Sequence, residues 1–353
     1  MANRLHVPAL TFKPNMAETA QRWDAYFAGE IIDRPLVCIN APYDAALSTP
    51  GSNYHDRVFG DIDVLLDRAL AAAHNTYFGG ESLPYYWLSF GPDEIAVFCG
   101  AELAWSDDSG DTNWSKPCIT DWAAAPTIAI DHGNALYQRM LTCYRRAAER
   151  LGGQLLLAMP DLHTNMDLVA ALRGPQQLCE DLLDEPEAID HAMCQARAVF
   201  PVLWNAVWEA GCFDEFGYLG AGTTLQCDFS CMISPPMFRR WVLPALEEEA
   251  ALVGRAQYHW DGPGALVHTA DLLASKGLHT MGYVPGDGAG RMIDHLDLLK
   301  RVQDGGKAVS VWGTPDELQA MHRELRPEKV LYATNVNSPA EAEALLQWFV
   351  RNT

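Results

Sequence analysis

The segment AVSVWGTPDELQAMHRELRPEKVLYAT, residues 308–334, contains the repeating unit from which the fold can be predicted. Apolar residues predict strands at Ala308–Trp312 and Val330–Ala333. Between them, Thr314-Pro315-Asp316-Glu317 has the spacing of a capping box, in which Thr and Glu satisfy the first backbone N–H groups of a helix. A strand, a turn, a capped helix and a second strand are typical of a parallel sheet.

The same alternation recurs along the chain and predicts an α/β fold. Further strands are predicted at Leu36–Ala41, Leu155–Met159, Gln257–Trp260 and Leu278–Tyr283. No Gly-rich dinucleotide fingerprint follows an early strand, so an open doubly wound sheet is disfavoured. We therefore predict a (β/α)8 TIM-type barrel that forms a single domain over residues 1–353, with about the first 130 residues contributing a cap and the first strand.

Capping residues and apolar faces predict where several helices begin. Asp61 is expected to cap one helix, and Ser234-Pro235 places Ser at the cap and Pro at the first helical position of another. Ser338-Pro339-Ala340-Glu341 repeats the capping-box spacing. The apolar face from Ile189 to Val207 predicts a helix with a kink at Pro201. Helices between strands are the crossovers that parallel strands require.

The charge balance is strongly acidic, with 25 Lys and Arg residues against 46 Asp and Glu and a net charge of −21. A field of that sign repels nucleic acid and anionic membranes. No run approaches the ~18 apolar residues of a spanning helix, and the first residues contain no apolar core of signal-peptide length. The nine cysteines are scattered without a CxxC pair, as expected for reduced thiols. We expect a cytoplasmic protein that binds neither nucleic acid nor membranes.

The segment QYHWDGPG, residues 257–264, has the strongest functional pattern. His259 and Asp261 are two positions apart at the end of a predicted strand, so both side chains point the same way. They can share a metal ion, or Asp261 can orient His259 for acid–base catalysis. The alternative is structural, with His259 satisfied in the core and Asp261 capping the turn at Gly262.

Two further polar groups follow predicted strands. Asp161 and His163 come just after Leu155–Met159, where they suit either the floor of a pocket or a simple turn. Asp287 follows a later strand in a Gly-rich segment, as a metal or substrate ligand or as a turn residue.

A third polar group lies before the Ser234 helix. Asp228 is a candidate catalytic residue there, and its neighbour Cys227 is either a soft metal ligand or a small buried hydrophobe. The aromatic run Tyr85-Tyr86-Trp87 lines a pocket for a flat or cationic ligand, or only packs. Barrel strands deliver such side chains to one rim, so one cavity is predicted to collect Asp161, His163, Asp228, His259, Asp261 and Asp287.

Several stretches resemble a known superfamily. The run from Asp228 to Pro244, including Ser234-Pro235, resembles that of uroporphyrinogen decarboxylases and corrinoid-dependent methyltransferases. His259-Trp260-Asp261-Gly262 is similar to the His-x-Cys-Gly that follows in that superfamily. Asp33-Arg34-Pro35 and residues 76–92 resemble an uncharacterised decarboxylase-like subgroup. The resemblance implies a TIM-type barrel and either decarboxylase or methyltransferase chemistry.

The chain departs from this superfamily at two cysteine positions. In its zinc-dependent methyltransferases, His-x-Cys supplies two zinc ligands and a cysteine near the last strand supplies another. Here Asp261 replaces the first cysteine, and residues 334–337 contain none. A thiol-rich zinc site is therefore disfavoured, whereas zinc accepts mixed ligands and a harder site from His259, Asp261, Cys227 and Asp287 stays open.

The basic residues near the N-terminus bear on decarboxylation. A porphyrinogen carries several carboxylates, which the decarboxylases of this superfamily grip with arginines. This region offers only Arg4, Lys13, Arg22 and Arg34, spread thinly along the chain. Porphyrinogen decarboxylation is therefore disfavoured.

Methyl transfer is the leading functional prediction. Zinc or another divalent metal at His259 and Asp261 is expected to help a poor leaving group depart, with Asp161, His163 and Asp228 as further catalytic residues. The expected partners are a small-molecule substrate, a corrinoid protein or thiol that exchanges the methyl group, and a second copy of the chain in a homodimer. One alternative is a metal-free decarboxylase or lyase acting on a small acid, and another is a corrinoid or tetrapyrrole delivery protein.

Overall fold

The computed structural model of the chain describes residues 9–48, 51–105, 112–216 and 223–353. Its strands alternate with helices, as the sequence predicts for an α/β fold. The strands are β1 Leu36–Pro42, β2 Thr76–Gly80, β3 Tyr85–Tyr86, β4 Glu102–Ala104, β5 Trp114–Lys116, β6 Leu156–Leu157, β7 Thr223–Gln226, β8 Ala256–Asp261, β9 Leu278–Val284, β10 Ala308–Trp312 and β11 Val330–Asn335.

The helices lie between these strands, and several of them carry one buried face. They are α1 Met16–Ala28, α2 Tyr54–Phe59, α3 Ile62–His74, α4 Glu94–Phe98, α5 Ala135–Leu151, α6 Asn165–Arg173, α7 Pro175–Asp184, α8 Pro186–Ala210, α9 Phe213–Phe216, α10 Pro235–Met237, α11 Leu243–Val253, α12 Thr269–Ala274, α13 Leu296–Asp304, α14 Pro315–His322 and α15 Pro339–Asn352. Within the described ranges, no helix is both long and apolar enough to cross a lipid bilayer.

The main sheet has seven strands in the order β2-β1-β11-β10-β9-β8-β7. Six of them, β1, β11, β10, β9, β8 and β7, run parallel to one another. The remaining strand, β2, lies at one edge and is antiparallel to β1. A separate pair, β3 and β6, is also parallel. The mixed α/β architecture with a parallel sheet is therefore as predicted.

Closure into a barrel needs the β3–β6 pair to join both edges of the main sheet. Among the described residues, no hydrogen-bonded ladder makes either connection. One of the two edges is β7, which begins at Thr223, directly after a stretch outside the described residues. Closure of the barrel stays a prediction.

The longer predicted strands are confirmed, and shorter ones went unpredicted. The structure extends the predicted strand Gln257–Trp260 to Ala256–Asp261, whereas it shortens Leu155–Met159 to two residues. Strands β2, β3, β4, β5 and β7 were not predicted. Strand β7, TTLQ, is four residues long and lacks the apolar alternation on which the prediction relies.

Capping residues predicted some helix starts correctly. Asp61 accepts from the backbone N–H groups of Asp63 and Val64, and Thr314 forms the full capping box. Ser338 caps α15, but the Glu341 carboxylate reaches the backbone N–H of Asn337, so only half of the predicted box forms.

Two further predicted helices form where the sequence places them. Ser234 is the N-cap and Pro235 the first residue of α10, as predicted, although the Ser234 side chain makes no capping hydrogen bond; a π-helical turn then precedes α11. Pro201 lies inside the helix Pro186–Ala210, which forms as predicted, and the kink at Pro201 stays a prediction. The apolar face of that helix, including Phe200 and Leu203, is buried, and packing therefore outweighs the missing hydrogen bond.

The N-terminal basic residues are engaged within the fold. Lys13 Nζ donates to two backbone carbonyl oxygens near β2, Arg22 pairs with Asp33, and Arg34 forms a buried ion pair with Glu81. Arg4 lies outside the described residues. The three described cations therefore already have partners within the fold.

Candidate active site

A cavity of about 530 Å³ lies where the β3–β6 pair faces strands β7 and β8. All four residues predicted to be catalytic line it: Asp161, His163, Asp228 and His259. Its other described lining residues are Tyr85, Trp87, Ala158, Met159, Pro160, Leu162, Thr223, Thr224 and Gln226.

Strand β8 orients His259 and Asp261 as its alternation predicts. Tyr258 and Trp260 are buried in the core, so His259 and Asp261 point to the opposite face. The chain then turns at Gly262, whose φ of 69° is a conformation that favours glycine. His259 Nε2 lies 4.0 Å from Asp261 Oδ1 and 3.8 Å from Asp228 Oδ1. The three side chains therefore form one group at the end of the strand.

The segment after β6 places Asp161 and His163 against this group. His163 Nε2 lies 3.4 Å from Asp161 Oδ2, and His163 Nδ1 lies 3.3 Å from Asp167 Oδ2 and 3.8 Å from Asp228 Oδ2. Burial acts to lower the pKa of His163, but the carboxylates of Asp161 and Asp167 outweigh it and the pKa rises well above its ordinary value. The two carboxylates therefore favour the imidazolium form of His163.

The pKa values of the two carboxyl groups in the cavity, Asp161 and Asp228, are shifted in opposite directions. Burial and the nearby charge of Asp167 raise the pKa of Asp228 to about 6. Burial acts on Asp161 in the same sense, but His163 and the Gln226 amide, which donates to Asp161 Oδ1 over 2.6 Å, outweigh it and lower its pKa. Two carboxyls with separated pKa values are a common basis for acid and base roles in one site.

One oxygen of Asp228 lacks a hydrogen-bond partner. Its Oδ1 is buried and has no partner among the described residues, whereas the side chain as a whole is 41% exposed. A buried oxygen without a partner is unfavourable by about 1–3 kcal/mol.

The structure does not bring Cys227, Asp261 or Asp287 into the described cavity lining, although Asp261 Oδ1 lies 4.0 Å from His259 Nε2. Cys227 is buried, and burial together with the charges of Asp167 and Asp228 raises its thiol pKa well above the ordinary value, which disfavours a metal-binding thiolate. Asp287 is exposed, because Gly286 and Gly288 on either side of it have positive φ angles and turn the chain away from β9. In the described part of the chain, no group of three or more His, Cys, Asp or Glu side chains is arranged to hold a metal ion. The four predicted ligands are therefore not gathered into one group among the described residues, and a metal held by His259 and Asp261 stays a prediction.

Asp167 is a site residue that the sequence interpretation missed. One of its oxygens faces His163, and its carboxylate accepts from the backbone N–H groups of Asp228 and Phe229. It therefore fixes both the imidazolium and the backbone that carries Asp228. The His-x-x-x-Asp spacing at 163–167, across the start of α6, is the signal that could have found it.

Glu249 was missed as well, and it supports the site from behind. It is buried in α11 and accepts from Thr164 Oγ1 over 2.7 Å and from Asn165 Nδ2 over 3.3 Å. Asn165 Nδ2 also donates to the carbonyl oxygen of Gln226 at the end of β7. Glu249 thus ties the segment after β6 to the end of β7.

Comparisons with known proteins give a structural match but no match in sequence. No family model matches the chain, and no curated protein matches it. Among solved structures, the chain is similar to a methyltransferase from Methanosarcina mazei, with a TM-score of 0.63 and 15% identity over 97% of this chain and 98% of that chain. The two chains share a fold over nearly their whole lengths, and membership of the superfamily stays a prediction.

Proposed function

We propose that the protein is an enzyme that transfers a methyl group from a small molecule in this cavity to an acceptor, with Asp228 handling the proton of the leaving atom. The observation that carries the proposal is the placement of Asp228, with its raised pKa, beside Asp161, His163 and His259 in one cavity. The structural similarity to a methyltransferase supports the reaction class.

The chemistry can be written with the side chains present. The bond between the methyl carbon and a heteroatom breaks, its electron pair stays on the heteroatom, and the methyl carbon bonds to a nucleophilic acceptor. The acceptor is a thiolate or a reduced corrinoid on a partner protein. Asp228 donates its proton to the leaving heteroatom, or keeps a proton already there in place. The His163 imidazolium, 3.8 Å from Asp228 Oδ2, stabilises the carboxylate that remains.

The cavity disfavours the decarboxylase or lyase alternative. No Lys or Arg is among the described lining residues, whereas Asp161 and Asp228 are. A carboxylate substrate would therefore meet like charge without a guanidinium or ammonium partner, and like charges in a partly desolvated site repel strongly. Titration with cobalamin and heme, followed by absorbance, tests the delivery-protein alternative.

The metal stays a separate prediction, and no step above depends on it. Elemental analysis of the freshly purified protein beside His259→Ala tests it directly. Zinc or another divalent metal in the wild type that is lost in the variant would establish the ligand role of His259. Equal metal content in the two proteins would contradict that role.

The test of the proposed function is methyl transfer to free reduced cobalamin, which gives methylcobalamin with a distinct absorbance spectrum. The donors to compare are methanol, methyl ethers, methyl thioethers and methylated amines. We expect Asp228→Asn to lower the rate with the active donor by about 10²–10⁴-fold, the usual range for loss of a general acid.

The Asp228→Asn protein should remain folded, because its wild-type carboxylate is disfavoured by burial and by Asp167. The raised pKa means that the folded protein holds this proton more tightly than the unfolded chain. The resulting stabilisation is present at acid pH and is lost as the pH rises through about 6. The variant should therefore melt no lower than wild type at pH 8. A wild-type transfer rate in Asp228→Asn would contradict the proposed role.

A further inference from the structure

We infer that the cavity selects a methylated ammonium ion bearing an N–H as its methyl donor, in preference to a neutral ether, alcohol or thioether. This inference rests on the proposed methyl transfer and names the substrate class of that site. It follows from the charge of the cavity, from the Asp228 carboxylate and from the aromatic wall.

The charge around the cavity favours a cation. Four carboxyl groups lie within 4.0 Å of the two imidazoles, those of Asp161, Asp167, Asp228 and Asp261. No Lys or Arg is among the described lining residues to balance them. His163 carries one positive charge, which leaves excess negative charge in a partly enclosed space. A monovalent organic cation reduces that excess, whereas a neutral donor leaves it unchanged.

The Asp228 carboxylate specifies a hydrogen-bond donor on the ligand. The Asp228 side chain is 41% exposed, and its Oδ1 has no hydrogen-bond partner among the described residues, since His259 Nε2 is 3.8 Å away and too far for a hydrogen bond. An ether or thioether has no proton to offer when Asp228 is ionised. An ammonium N–H donates to the exposed part of this carboxylate and forms a charge-assisted hydrogen bond.

The aromatic wall suits the methyl groups of such an ion. Tyr85 and Trp87 both line the cavity, and about half of Tyr85 is exposed. N-methyl groups carry part of the positive charge and are attracted to ring faces. Arg57 lies over Trp87 at 5.2 Å from the ring centroid, but it is held by Ser52 and is not a described lining residue. The open ring of the wall is therefore that of Tyr85.

The transfer balances with this donor. The bond between the methyl carbon and the protonated nitrogen breaks, and its electron pair stays on nitrogen, which leaves as a neutral amine with its proton. The methyl group bonds to the anionic thiolate or reduced corrinoid acceptor, so charge is conserved. Asp228 accepts the N–H hydrogen bond throughout and holds the proton at the leaving nitrogen, and no other co-reactant is needed.

Calorimetric titration of the full chain with two matched probes tests the inference without turnover. The first probe is 2-(dimethylamino)ethanol, which is protonated at neutral pH. The second is 3-methyl-1-butanol, an uncharged molecule of the same shape in which CH replaces the N–H⁺. We expect the ammonium to bind at least about tenfold more tightly than the alcohol. Equal affinities, or binding of neither probe at millimolar concentration, would overturn the inference.

Variants locate the binding in the cavity. Asp161→Asn should weaken the binding of 2-(dimethylamino)ethanol by at least about tenfold and leave the affinity for 3-methyl-1-butanol unchanged. Asp184→Asn removes the same charge from an exposed position at the end of α7 and should change neither affinity by more than about twofold. Tyr85→Leu should weaken the binding of the ammonium probe several-fold, whereas Tyr85→Phe keeps the aromatic ring and should keep the affinity. An ammonium affinity that is the same in Asp161→Asn and Tyr85→Leu as in wild type would place the ion elsewhere and overturn the inference.

The two proposals fail in different ways. Tight, cavity-dependent ammonium binding without methyl transfer from any amine would leave the binding inference standing and contradict the proposed reaction. Methyl transfer from a neutral ether, with no preference for the ammonium probe, would support the reaction and overturn the inference.

Discussion

At residue 249 a carboxyl group is buried without a cation beside it. Burial raises the pKa of Glu249 to about 8, although Thr164 and Asn165 donate hydrogen bonds to it. The group is therefore mostly protonated at neutral pH and acts as a neutral hydrogen-bonding hub. Asn165, with a φ of 49°, is held in a left-handed conformation partly by these bonds. Its neighbour His163 depends on the same segment for its position.

Two substitutions of Glu249 distinguish the contribution of its hydrogen bonds to stability from that of its charge. Glu249→Gln keeps an acceptor for Thr164 and should leave stability at pH 7 nearly unchanged. Glu249→Ala leaves buried donors unsatisfied and a cavity behind, and should lower the free energy of unfolding by about 2–4 kcal/mol. Urea unfolding measures both. Equal loss in the two variants would contradict the hub role.

The pH dependence of Glu249 has a defined sign. Its folded pKa of about 8 lies above the ordinary 4.5, so the folded protein holds the proton more tightly than the unfolded chain. The stabilisation is complete below about pH 4.5 and is lost as the pH rises through about 8. The melting temperature of wild type should therefore fall more between pH 5 and pH 9 than that of Glu249→Gln.

Site residues next to predicted strands could be found from the sequence. The residues that hydrogen-bond to the site from other elements could not. Asp161 and His259 follow or end strands whose apolar pattern is clear, so their position at one edge of the sheet was predictable. Glu249 lies 85 residues from Thr164 in the chain, and only the tertiary packing of α11 brings the two together. Asp287 was misplaced because the sequence does not reveal how far a Gly-rich turn carries the chain from a strand end.

At the scale of elements, α14 begins at a complete capping box. Thr314 Oγ1 accepts from the backbone N–H of Glu317, and the Glu317 carboxylate accepts from the backbone N–H of Thr314. Thr314→Ala removes one half of this exchange. It should lower the free energy of unfolding by about 1 kcal/mol, measured by urea unfolding. Thr314→Ser keeps the hydroxyl and serves as the control. If Thr314→Ser lost as much free energy of unfolding as Thr314→Ala, capping would not be the cause.

Element prediction succeeded where the local sequence determines the structure. The capping boxes and the apolar runs of β8 to β11 were assigned because those signals are local and strong. Strands β3 and β6 are two residues long each, and they are strands only because they pair with each other. The π-helical turn at Phe238–Val242 has no recognised local signal, and packing of Phe238, Trp241 and Val242 into the core accompanies it.

At the scale of the whole molecule, two sheets that no ladder connects among the described residues share one hydrophobic core. That core contains Leu157 of the β3–β6 pair and Leu278 of the main sheet, and it extends along the chain from Val37 to Phe349. Apolar burial does not depend on hydrogen-bonded continuity between strands. The β3–β6 pair is therefore expected to unfold together with the main sheet, as a single domain requires.

Matched Leu→Ala variants test this cooperativity. Leu157 and Leu278 are each 1% exposed, so either substitution should lower the free energy of unfolding by about 2–5 kcal/mol. Leu183→Ala, at a side chain 72% exposed, is the control and should have little effect. Urea unfolding followed in parallel by tryptophan fluorescence and far-ultraviolet circular dichroism should show one transition, which both core variants move as a whole to lower urea. If the β3–β6 pair were an independent unit, Leu157→Ala would instead shift one of two transitions and leave the other at its wild-type midpoint.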